Sequence, residues 1–130
     1  RDPEMSRGLG DVYKRQYTLR ITKNEKIFLP EYQRQVTDDI IETAKSIYID
    51  AWDANNVRVT TKDDWRVRRE LQLRAARECN RLLALIGIAK SSFHLKNKRI
   101  KFWTGKVLKV RGMIRSWNES DSKRYSQIAE

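Results

Sequence analysis

Apolar residues recur along the C-terminal third of the chain as Ile100, Trp103, Val107, Val110, Ile114 and Trp117, at alternating gaps of 3 and 4. That spacing draws one stripe along a helix packed against others in a bundle. Asn97 stands where an N-cap is wanted, and the polar run 118–122 closes the stripe, so the pattern predicts a helix over about 97–118. Upstream, Leu71, Ala75, Cys79, Leu82, Ile86, Ala89 and Phe93 form a second stripe, widened by Leu83 and Leu85, which predicts a helix over about 62–90. Thr61 with Asp64 three residues later resembles a capping box, and the dipole of a first turn accounts for the acidic pair Asp63 and Asp64. A third stripe, Val36, Ile40, Ala44, Ile47, Ala51 and Ala54, is flanked by Ile41, Tyr48 and Trp52 and predicts a helix over about 31–55. Pro30 suits its first turn, and Asn55 and Asn56 its end.

Short connections between long helices make neighbours antiparallel, which gives an all-α, up-and-down architecture. The wide stripes ask for a fourth partner, either another subunit or a helix over about 9–24. Val12, Tyr13, Gln16, Tyr17 and Leu19 give that segment only a ragged apolar face. The bundle domain is placed at 17–118, with a polar C-terminal tail at 119–130.

Charge changes this picture from a bundle to a bundle with a partner. The chain of 130 residues has a net charge of +11 and an isoelectric point of about 10.0, which points to a polyanion. An ordinary basic protein without such a partner is the alternative. There is no run of about 18 apolar residues to span a bilayer and no secretory signal pattern. The single cysteine fits a reducing compartment, hence an expected cytoplasmic location. The imbalance is sorted by segment: residues 31–55 hold two basic and six acidic side chains, whereas 57–125 hold nineteen and six.

At 100° per residue, Arg66, Arg74, Arg77 and Arg81 share an arc of about 80° beside the apolar stripe of their helix. Lys98, Lys106 and Lys109 lie on one flank of the last helix, and Arg111 and Arg115 on the other. With Arg69, these are the candidate residues for binding nucleic acid or a protein partner. Arginine favours phosphate because its fork binds two oxygens at once. The competing reading makes these arcs solvated faces, with an acidic helix of one subunit meeting a basic helix of another. Trp103 and Trp117 fall on the stripe and are core or interface residues first.

Catalytic chemistry has little to stand on. His94 and Cys79 are the only histidine and cysteine, and Cys79 lies on an apolar stripe as a buried thiol would. One His and one Cys cannot assemble a soft-ligand metal site, and neither common glycine-rich phosphate loop occurs. The sequence reads as no enzyme, with no cofactor and no metal.

The segments ELQLRAARECNRLLALIGIA (70–89), KFWTGKVLKVRGMIRSW (101–117) and ESDSKRY (119–125) carry a family resemblance. Together they resemble the four-helix-bundle family that includes the accessory variability determinant (Avd) proteins of diversity-generating retroelements. A related branch is encoded by intervening sequences within large ribosomal RNA genes. The resemblance covers roughly residues 27–125. It implies a four-helix protomer, a ring-like homo-pentamer, and binding to a reverse transcriptase and to RNA or an RNA/DNA duplex in support of mutagenic copying. A basic protein-interaction scaffold remains the alternative of another class.

The family's first helix would begin where this chain reads SRGLGDVYKRQ (6–16). That stretch can be back-translated into a sequence that resembles a sequencing-library adapter ending in a transposase recognition end. Residues 1–16 are therefore read as a non-native leader, and function is sought after Tyr17.

Overall fold

The structure is a computed structural model that describes residues 30–93 and 95–128. They form three helices and no strand: α1, Pro30–Asn56; α2, Lys62–Phe93; and α3, Asn97–Tyr125. The 27, 32 and 29 residues of these helices make rods of about 40–50 Å. The leader at 1–16 and the fourth helix over about 9–24 lie outside the described residues.

Helix α2 is the centre of the packing, with α1 and α3 laid along it. Polar contacts across the two seams give the directions. Arg68 reaches Val57 O and Arg74 reaches Asp50, so advancing along α2 means retreating along α1. Gln72 meets Asn118 and Asn80 meets Arg111, so α3 also runs against α2. The core is the set of stripes read from sequence. Ile40, Ile47 and Ala54 of α1, Ala75, Cys79, Leu82 and Ile86 of α2, and Trp103, Val107 and Ile114 of α3 are almost wholly enclosed. Burying each large side chain of this set contributes about 1.5–3 kcal/mol, which outweighs the modest helix propensity of the β-branched members.

The connection between α1 and α2 is built by its own polar residues. Asn56 Nδ2 donates to Trp52 O at 2.8 Å and so answers one carbonyl left open at the end of α1. Asp64 N donates to Thr61 Oγ1 at 3.1 Å, and Asp64 Oδ2 accepts from Thr61 N at 3.0 Å, a reciprocal capping box. The Thr60 hydroxyl, then the Thr60 and Thr61 amides, hold the Asp64 carboxyl down at about 2.

Two expectations about α3 need correction. Asn97 is the first helical residue and not the cap. Lys96, extended at φ −63° and ψ 134°, precedes it, and its carbonyl accepts from Arg99 N and Ile100 N. Buried Leu95 anchors the chain just before this point. The polar run 118–122 does not end the helix, nor does a tail begin at 119, because α3 continues to Tyr125. Asp121 is the reason: it sits one step further along the same stripe, is 1 % exposed, and is held from α2.

Candidate nucleic-acid interface

Between residues 79 and 118 the sequence has ten basic residues and no carboxylate, and seven of the ten are on α3. The stripe of α3 faces α2, so four of those seven, Lys98, Lys101, Lys109 and Arg115, are exposed within about a 120° arc on the outer side. Gly105 and Gly112 lie in the middle of that arc, and a Cβ built at either would meet nothing within 4 Å. The face is therefore low at its centre and cationic at its borders.

The candidate cations divide into three groups. Arg66, Arg74 and Arg77 are engaged with Asp63 at 3.0 Å, Asp50 at 3.1 Å and Glu70 at 3.2 Å. These pairs are half-exposed or more at the arginine, so each holds its partner weakly and can yield to a phosphate. Lys106 and Arg111 are tethered: Lys106 Nζ lies 5.3 Å from the centre of the Phe102 ring, and Arg111 Nη1 donates to Asn80 Oδ1 at 2.7 Å. Arg69, Arg81, Lys98, Lys109 and Arg115 are exposed and make no ion pair among the described residues. The structure thus unites Lys98, Lys109 and Arg115 on α3 but leaves Arg69 and Arg81 on opposite flanks of α2.

Sequence reasoning passed over Lys101 and Phe102. Phe102 is 53 % exposed beside Lys98, Lys101 and Lys106, where a ring could stack on a base. Its signal was an aromatic off the stripe in a run of lysines. Trp103 and Trp117 are buried on the stripe, as their register predicts.

A second polar group was not legible as such. Arg68 is 7 % exposed, and its Nε donates to Asp121 Oδ2 at 2.8 Å. Gln72 Nε2 donates to the same oxygen at 2.7 Å, and Asn118 Nδ2 donates to Gln72 Oε1 at 2.8 Å. The Arg68 guanidinium also lies 5.1 Å from the Trp117 ring centre and 5.8 Å from that of Tyr125, which packs on Trp65. Arg68 Nε, the Gln72 amide and Asp121 Oδ2 are spent internally. This cluster positions helices and offers nothing to a ligand.

Cys79 is buried on the α2 stripe, and burial pushes its thiol up to about 12, against the nearby Arg111 charge. A thiol this far from ionisation is no nucleophile. In the native protein it is expected to stay unmodified by a disulfide reagent at about pH 8, and to react fully once denaturant is added. Absorbance of the released thiolate reads this directly, and fast native labelling would contradict the enclosed position. No group of three or more His, Cys, Asp or Glu side chains able to hold a metal occurs among the described residues, and no described helix is long and apolar enough to cross a membrane.

An all-α architecture whose last helix carries exposed cations on its outer side is what fold and surface define. Comparison with known protein families, with curated proteins and with solved structures finds no match for this chain.

Proposed function

We propose that this chain is a non-enzymatic nucleic-acid-binding protein that engages the phosphate backbone through the outer face of α3, with the arginines of α2 in support. The observation that carries this reading is the stretch from 79 to 118, with ten basic residues and no acidic one, seven of the ten on α3. A helix with that charge gathers phosphates and releases their counterions. The exposed acidic residues of α1, Asp38, Glu42 and Asp53, lie on a different helix from α3.

The resemblance to the Avd-type family gives the reading its finer form. In that form the protomer is a four-helix bundle, with its first helix before Pro30, and assembles into a ring-like pentamer. It serves as the accessory protein of a diversity-generating retroelement, holding the template RNA and the reverse transcriptase together during mutagenic copying. The acidic face of α1 and the basic face of α3 are complementary surfaces for such an assembly. Light scattering of the full chain tests the ring, and a monomer would remove it.

The binding itself is tested with a labelled RNA hairpin near 50 mM salt. The triple variant Lys98→Glu, Lys109→Glu, Arg115→Glu is expected to lose at least about tenfold in affinity. Its melting curve should stay unchanged, because all three side chains lie off the stripe. Wild-type protein that fails to bind, or a variant that binds as well as wild type, would sink the assignment to α3.

A further inference from the structure

On the α1 side of α2, the carboxyl groups of Glu78 and Asp50 meet across the seam. Asp50 is buried, and its Oδ2 takes Arg74 Nε at 3.1 Å. Glu78 is partly buried, and its Oε2 is hidden from solvent with no hydrogen-bond partner. Two carboxylates so placed repel each other, and an oxygen hidden without a donor is satisfied most simply by a proton shared between them. Burial first, then the hydrogen bond to Asp50 and its charge, push Glu78 up to about 7, while Arg74 and Arg77 oppose the rise. Beside the pair, Asp39, Glu42, Thr43, Ser46, Glu78 and Arg81 line an open cleft of about 170 Å³.

The charged groups facing Glu78 come from the two helices that meet here. They are Asp39, Glu42 and Asp50 from α1, and Arg74, Arg77 and Arg81 from α2. Helix α3 packs along another side of α2, where Asn80 receives Arg111.

We infer that Glu78 is a proton-controlled latch on Arg81 of α2, so that a polyanion binds with proton uptake at this carboxyl. Protonated, Glu78 has no charge with which to hold Arg81, three residues ahead on the helix surface and lining the same cleft, while Arg74 stays with Asp50. Ionised, it draws Arg81 back onto the helix and adds a negative charge beside the path of a phosphate. A bound phosphate that recruits Arg81 therefore favours the neutral form, and by linkage the neutral form favours the phosphate. The inference takes its ligand from the nucleic-acid reading above, but the titration of Glu78 stands apart from that reading.

Two measurements on the full chain separate the parts. In the first, affinity for a labelled RNA hairpin is followed at fixed ionic strength from about pH 6 to 8.5, for wild type and Glu78→Gln. Each unit by which phosphate raises the Glu78 titration is a tenfold change, so wild-type affinity should fall severalfold more than that of the variant. The histidine at position 94 is present in both proteins, so their difference isolates Glu78. Parallel profiles overturn the coupling.

In the second, melting temperatures without RNA are compared from about pH 5 to 8. The folded-state value of Glu78 lies above its ordinary 4.5, so its contribution is present at low pH and lost as pH rises through about 7. Wild type should therefore lose stability relative to Glu78→Gln across that range. Parallel melting profiles overturn the titration itself, whereas RNA binding by neither protein overturns the nucleic-acid reading and the latch with it, the titration being decided by melting alone.

Discussion

Asp121→Ala is expected to cost about 3–5 kcal/mol of folding stability, a penalty of the size seen when one member of a buried ion pair is removed. The substituted side chain is nearly fully enclosed, and its Oδ2 alone receives both Arg68 and Gln72. Without it Arg68 stays buried between the Trp117 and Tyr125 rings with its charge uncompensated, and the Gln72 amide loses its acceptor. The magnitude comes from desolvation and not from the strength of the bond, which a double replacement makes visible. Arg68→Met combined with Asp121→Leu should recover most of the loss, because no bare charge remains. The unanswered amide of Gln72 keeps a residual cost of about 1–3 kcal/mol. Urea denaturation of the two single variants and the pair completes the cycle. A cost below about 1 kcal/mol for Asp121→Ala would mean that Arg68 reaches water and that the cluster is not enclosed.

The second large effect is on salt dependence. If Lys98, Lys101, Lys109 and Arg115 each neutralise one phosphate, log K should fall with log salt with a slope of about −3. Affinity for RNA would then drop by about 100-fold between 50 and 200 mM salt. Removing one of these four cations should flatten the slope by somewhat less than one unit. Phe102→Ala tests a different contribution: loss of a stacking ring should weaken binding at every salt concentration and leave the slope unchanged. A slope near zero for wild type would assign the basic face to something other than phosphate.

The apolar stripes were legible because every gap in them is 3 or 4 and every member is apolar. The same register continues where the chemistry changes: Trp117 leads to Asp121 on α3, and Ala75 leads back through Gln72 to Arg68 on α2. Reading by hydropathy stops at the first charged residue, since charged side chains are seldom enclosed unless paired. The pairing needed a partner 53 residues away, which a periodic pattern cannot supply. Phase would have served better than polarity, because Asp121 is on phase and its neighbours Glu119 and Ser120 are not. The basic set was legible as a count and as arcs on a wheel. Which members are engaged was not, since Arg74 depends on Asp50 from another helix and Arg111 on Asn80.

The polar cluster gives the molecule unequal ends. Where α1 turns into α2, the Val57 carbonyl, Arg68 and Asp121 tie all three helices with bonds of fixed length and direction. Toward the other end, Leu85, Ala89, Leu95 and Ile100 hold by apolar contact, which tolerates small slides and rotations. Compliance therefore accumulates away from the tie, at the end that carries Lys90, Lys96 and Lys98. One end fixes the helices' phase, and the other is free to adjust its shape.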